Sequence, residues 1–134
     1  MPDVVLRAEH VTKRFGGITA LENAELELYK GEVHALVGAN GAGKSTLIKI
    51  ITGAYPKDEG DIYLEGQKIE VKSTFDARAK GISAVYQEFS LINTVSVAEN
   101  IFMGKLLYNN LGPIPRADWK RMNEETQKLL DSLG

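Results

Sequence analysis

A chain of 134 residues with a formal net charge of -2 is long enough for one domain or for part of a larger one. The absence of cysteine excludes a disulfide framework and a thiolate metal site. A balance of 16 basic against 18 acidic residues gives no basic face for nucleic acid.

The N-terminus, MPDVVLRAEH, has no basic segment leading into an apolar one, and the apolar runs are too short to cross a bilayer. Any membrane role is therefore expected through a partner. Val4, Val5, Leu6 and Val11 read as strand, and residues 21–28 alternate apolar and polar as in a half-buried antiparallel strand. Lys30-Gly31-Glu32 is a turn. Residues 33–37 (VHALV) form a short apolar run that stops at glycine, and a buried strand is expected there. After the glycines, residues 45–51 begin a helix that Thr52-Gly53 ends, and residues 56–60 are a loop. Residues 62–64 and 67–69 flank Glu65-Gly66 as a hairpin. Residues 73–80 are a short helix stopped by Gly81, and residues 82–86 (ISAVY) are a strand followed by Gln87. Further on, residues 97–103 are helical, while residues 106–115 hold Asn-Asn, Gly and two prolines and read as loop. From Asp118, a plausible N-cap, Trp119, Met122, Leu129, Leu130 and Leu133 fall at helical spacing, with Trp119 expected at the packed start and Gly134 at a C-cap position. His10 and His34 lack ligand spacing and read as surface or strand residues.

One stretch carries chemistry. Gly38, Ala39, Asn40, Gly41, Ala42, Gly43, Lys44 and Ser45, followed by Thr46, fit G-x-x-x-x-G-K-[ST]. Its glycines let the backbone curl and turn N–H groups toward phosphate oxygens. The following helix adds its N-terminal N–H groups and positive dipole end. Lys44 is placed to reach the β- and γ-phosphates, and the Ser45 hydroxyl to bind Mg²⁺. An apolar run before the motif and an apolar helix after it are the context the motif requires.

The flanks narrow the reading. Residues 13–21 read KRFGGITAL, residues 56–62 read PKDEGDI, residues 85–91 read VYQEFSL and residues 94–104 read TVSVAENIFMG. Together these resemble the ATP-binding subunits of ABC transporters along the whole chain, and residues 86–104 look most like the branch that imports ribose, galactose and xylose. The resemblance implies an α/β P-loop NTPase fold of the ABC ATPase type, present in part: an antiparallel β subdomain, part of the RecA-like core and the start of the helical subdomain. It implies residues 1–88 as partial ATP-binding core and residues 89–134 as the beginning of the helical subdomain. ATP and Mg²⁺ are the implied cofactors. Phe15 matches the aromatic that stacks on adenine; position alone leaves it open between that role and a core aromatic. Gln87 matches the Q-loop glutamine, which touches Mg²⁺ and the attacking water and couples the site to the membrane domain. Ala39 stands where many sugar-branch members carry glutamate, with little consequence expected because backbone faces the phosphate there.

The implied partners are membrane permease subunits, a second nucleotide-binding domain and, indirectly, an external sugar-binding protein, at the cytoplasmic face of the membrane. The family also needs an apolar strand ending Asp-Glu, a Leu-Ser-Gly-Gly-Gln signature and a later histidine. Asp58-Glu59 follows Tyr55-Pro56-Lys57 rather than an apolar strand, Leu64-Glu65-Gly66-Gln67 precedes Gln87 and reads as a turn, and both histidines precede the phosphate loop. The chain is therefore expected to be a fragment holding no catalytic residue, inactive by itself, and prone to self-associate through an unpaired edge at residues 33–37. The alternatives are a non-transport ABC protein or another P-loop nucleotide binder. A GTPase needs Asn-Lys-x-Asp, and Asn40 and Asn93 precede Gly and Thr.

Overall fold

The computed structural model describes residues 3–86, 91–110 and 112–134. It divides into two compact units, Met1–Val85 and Tyr86–Gly134, taken in turn.

The first unit is built on an antiparallel sheet. Strands β1 (Val4–Phe15) and β2 (Ile18–Tyr29) form a long hairpin, helix α1 (Lys44–Ile51) follows, and β3 (Glu59–Leu64) and β4 (Gln67–Ile69) form a second hairpin. The strand order is β2-β1-β3-β4. Period-two alternation sends one set of side chains to a common face. Ala8 stands between Leu26 of β2 and Ile62 of β3, and Leu6 between Leu28 and Leu64. Onto this face α1 lays Leu47, Ile50 and Ile51, whose i, i+3, i+4 spacing forms one helical stripe. Val11, Ile50 and Ile62 are completely enclosed. Helix α2 (Thr74–Ala79) is capped by the Ser73 hydroxyl, which accepts from the Asp76 N–H.

The β3–β4 turn confirms the hairpin read from the sequence. Glu65 and Gly66 both have positive φ, 48° and 79°, the pattern of a type I′ turn that matches the twist of the strands it joins. Two apolar segments expected as strands behave otherwise. Residues 33–37 and 82–86 belong to no ladder, and Val33, Val37 and Val85 are almost wholly exposed. A strand needs a hydrogen-bonded neighbour, and the described residues provide none on either side of these two segments. They border instead an open cleft of about 300 Å³, lined by Leu36, Ile48, Ile51, Ile82 and Val85 among others.

The second unit holds α3 (Val97–Ile101), a two-residue ladder of β5 (Tyr108–Asn109) with β6 (Arg116–Ala117), and α4 (Trp119–Leu133). Helix α3 begins with a full capping box: Ser96 accepts from the Glu99 N–H while the Glu99 carboxylate accepts from the Ser96 N–H. Asp118 caps α4 by accepting from the Arg121 N–H at 3.0 Å, as its position in the sequence indicated. Met122 is the enclosed residue of that helix. Two expectations are corrected here. The segment read as loop, residues 106–115, contains β5, because Tyr108 and Asn109 find partners across the turn in Ala117 and Arg116. Trp119, expected at a packed helix start, is 47% exposed, and Leu129, Leu130 and Leu133 are exposed as well. Helical spacing placed these residues on a stripe, but only Met122 and Thr126 of that helix are buried within the unit. Among the described residues no helix is long and apolar enough to cross a membrane.

Candidate functional site

The glycine loop leads directly into α1, and its last glycine is the helix cap. Gly43 has φ 96° and ψ 0°, a left-handed geometry open to glycine. Having no side chain, it offers no cap to the first helical N–H groups, which are left for an outside acceptor. The Gly43 carbonyl accepts from Leu47 N–H at 2.9 Å, so the helix is wound from its first turn. Within the loop the Ala42 N–H donates to the Ala39 carbonyl at 3.1 Å, closing a tight turn around Asn40 and Gly41, where Gly41 also has positive φ.

Lys44 curls back over this turn. Its ammonium donates to the carbonyls of Gly38 and Ala39, the latter at 2.8 Å, which sets a positive charge at the mouth of the loop. Ser45 is exposed and Thr46 half-buried beside it. The structure thus gathers residues 38–46 into one cradle of loop backbone, a helix N-terminus and a cation. Such a cradle can hold a compact anion with several oxygens. Among the described residues no group of three or more His, Asp or Glu is placed to hold a metal ion.

The loop is seated on the first hairpin. A Cβ at Gly43 would lie 2.8 Å from Leu21 Cδ1 and 3.1 Å from the Ala20 carbonyl oxygen, so loop and β2 touch backbone to side chain. Phe15 is at the turn end of the same hairpin, where it pairs with Ile18 across from β2. Its ring is 42% exposed and meets Tyr55 nearly at right angles, with centroids 5.3 Å apart. The Lys13 ammonium lies over the same ring at 5.3 Å. Gln87 lies outside the described residues.

Asp58-Glu59, which follows no apolar strand, is engaged with the end of β1. Asp58 accepts from the Lys13 ammonium at 2.9 Å and from the Arg14 N–H at 2.7 Å, and Glu59 accepts from the Arg14 guanidinium at 2.5 Å. The Lys13 hydrogen bond, followed by that of the Arg14 N–H, holds the Asp58 carboxyl below its ordinary value. Both acids fasten the start of β3 to the end of β1.

Residues 21–134 match the family model described as ABC transporter. The chain belongs to the ABC transporter family. Among its ABC relatives, the ribose import ATP-binding protein RbsA of Caldanaerobacter subterraneus is 45% identical over 130 residues, covering 97% of this chain and 26% of the relative. A putative ribose/galactose/methyl galactoside import ATP-binding protein of Rhizobium etli is 46% identical over 132 residues, covering 97% of this chain and 25% of the relative. The chain thus spans about a quarter of the length of these curated relatives. Among solved structures, an ATP-binding cassette of an ABC transporter superposes with a TM-score of 0.75 at 32% identity, over 98% of this chain and 53% of the other. The fold expected from the sequence, a partial ABC ATPase with an antiparallel sheet and helices, is the one observed.

Sequence reasoning missed Tyr55 and the Lys13–Asp58 pair. Tyr55 precedes Pro56 in a stretch read only as loop. No local spacing announces it, because its aromatic partner Phe15 is brought up by the fold from the other side of α1 in sequence.

Proposed function

We propose that this chain is the nucleotide-binding portion of an ATP-binding, energy-coupling subunit of an ABC transporter for sugar import. The observation that carries the reading is the cradle of residues 38–46, with an uncapped helix start behind Gly43 and the Lys44 ammonium at its mouth. In this reading the backbone from Gly38 through Gly43 and the first N–H groups of α1 surround the polyphosphate, Lys44 balances the charge of its outer phosphates, and Ser45 and Gln87 bind Mg²⁺. Thr46 completes the contact with the phosphates, and Phe15 stacks on adenine. The Mg²⁺ ion neutralises charge on the phosphate oxygens when bound. The donor set fits that group: backbone N–H groups and one ammonium suit phosphate, and a hydroxyl suits a hard cation that keeps oxygen ligands.

Sugar import is supported by the relatives, whose names specify ribose and galactose uptake. Residues 1–88 are assigned to the ATP-binding core and residues 89–134 to the start of the helical subdomain that faces the permease. The partners are permease subunits, a second nucleotide-binding domain and an external sugar-binding protein, with the chain on the cytoplasmic side of the membrane. The test is ATP binding with Mg²⁺, by calorimetry, in the protein and in Lys44→Ala. Micromolar to millimolar binding lost in the variant upholds the reading; an unchanged affinity in Lys44→Ala overturns it.

A further inference from the structure

We propose that Tyr55 is a positioning residue for base recognition: it fixes the ring of Phe15, with Lys13 over that ring, so that Phe15 is set in advance for stacking on adenine. The inference rests on the adenine role given to Phe15 above and extends it to Tyr55, which lies in none of the stretches that carry the resemblance.

Phe15 by itself is poorly placed to hold a pose. It ends β1 immediately before Gly16-Gly17, both at positive φ, and keeps 42% of its surface exposed. An exposed ring at a glycine turn samples several rotamers, and each must be frozen when a base stacks on it. Two neighbours remove that freedom here. Tyr55 stands almost perpendicular to the ring, at 71° and 5.3 Å, the edge-to-face arrangement that aromatic quadrupoles favour. The Lys13 ammonium lies over the ring at 5.3 Å, within cation–π range.

Both neighbours are themselves held. Tyr55 packs against the core of the first unit, donates its N–H to the Lys49 carbonyl at 3.0 Å, and has the Lys49 ammonium over its own ring at 5.1 Å. The Lys13 side chain is only 9% exposed and is tied to Asp58 at 2.9 Å. The fixed points thus lie in α1 and at the entry to β3, and Phe15 is pinned between them without being enclosed. A ring that is immobilised yet accessible is what a stacking surface needs, because the ordering entropy is spent on folding rather than on binding.

A purely structural aromatic pair would show itself differently. It would affect the fold and every ligand alike, whereas a positioning pair affects only ligands that carry a base. The experiment therefore compares Mg-ATP with Mg-tripolyphosphate, which has the phosphates and no base, by titration calorimetry on the full-length protein. In wild type, ATP is expected to bind more tightly than tripolyphosphate. Tyr55→Leu is expected to weaken ATP about threefold to tenfold, the size of an aromatic pair, and to leave tripolyphosphate unchanged. Tyr55→Phe keeps the ring and is expected to retain wild-type affinity for both. Tyr55→Met fills the apolar volume without a ring and is expected to show the same split as Tyr55→Leu. The inference is overturned if both ring-less variants bind ATP as wild type does, or if they lose ATP and tripolyphosphate equally. A wild type that binds no ATP at all overturns the reading beneath it, and is distinguished by needing no variant to reveal it.

Discussion

Gly43 and Leu21 are in contact across the boundary between the phosphate loop and the first hairpin: a Cβ on Gly43 would come within 2.8 Å of Leu21 Cδ1. The same atom would stand 3.1 Å from the Ala20 carbonyl oxygen, and the residue would also have to adopt φ near +96°. Gly43→Ala is therefore expected to lower stability by about 1–3 kcal/mol and to abolish ATP binding, because the loop must lift from β2. Adding Leu21→Ala removes the side-chain clash but not the strained φ or the carbonyl contact. Because Leu21 is itself buried in the core, its truncation adds a loss of stability of its own, and the double variant is thus expected to recover neither the melting temperature nor the binding. Thermal denaturation followed by calorimetric titration measures both.

Lys44 gives the opposite separation. Among the described residues its ammonium donates to the carbonyls of Gly38 and Ala39 at the surface of the loop and to no core group. Lys44→Ala is expected to change stability by no more than about 0.5 kcal/mol. Loss of hydrogen bonds to a charged partner, at about 1.5–3 kcal/mol, predicts an ATP affinity about tenfold to a hundredfold weaker. An equal fall in melting temperature and affinity would contradict this assignment.

These two residues also show how the sequence could be read and where it could not. The turn and helix start at residues 38–46 were legible because they are local: glycine, lysine and serine at fixed spacing dictate them whatever lies around. The Glu65-Gly66 turn and the Asp118 cap were legible for the same reason. Residues 33–37 and 82–86 read as strands because they are short apolar runs, yet strand formation is a property of pairs, and neither has a neighbour among the described residues. The Phe15–Tyr55 contact was illegible because two ordinary aromatics meet only after α1 packs on the sheet.

Helix α3 is five residues long, too short to hold itself by propagation, so its caps carry an unusual share of its stability. Ser96→Ala removes the hydroxyl half of the capping box, leaving the backbone N–H of residue 96 to the Glu99 carboxylate, and is expected to cost about 1 kcal/mol. Asp118→Ala is expected to cost a similar amount, about 1 kcal/mol, but over 15 residues of α4 it should fray only the first turn. Hydrogen exchange would distinguish them: protection lost throughout residues 97–101 in the first case, and confined to the first turn of α4 in the second.

The carboxylates set the acid limit of stability. Asp58 is held below its ordinary value of 3.8 by the Lys13 hydrogen bond and the Arg14 N–H, Asp76 by Lys80 and the Lys72 N–H, and Asp61 by Lys68. Glu99 is held below its ordinary value of 4.5 by its hydrogen bonds with Ser96. A carboxyl whose folded value is lowered binds fewer protons folded than unfolded, so its contribution is complete above the ordinary value and disappears as pH falls through the folded one. Stability is expected to be flat from neutral pH to about 5, then to drop below the ordinary values of 4.5 and 3.8. Asp58→Asn removes one of these groups and is expected to shallow that acid limb, as read from urea midpoints at successive pH values.

The unpaired segments give the last prediction. Val33 is 98% exposed, Val37 86% and Val85 100%, three β-branched residues on two extended segments that border one apolar cleft. Extended apolar residues outside any described ladder are a template for another strand. Burying surface of this kind yields about 25 cal/mol per Å², and a second copy of the chain carries the same apolar segments. The 134-residue chain is therefore expected to self-associate, with a mass that rises with concentration in sedimentation equilibrium. Val37→Lys and Val85→Lys place charge on both edges, a device that natural edge strands use against pairing. The double variant is expected to sediment as a monomer while keeping the β1–β4 sheet, seen as unchanged far-ultraviolet dichroism. A wild-type chain that stays monomeric across the same concentrations would show that these edges do not recruit a partner.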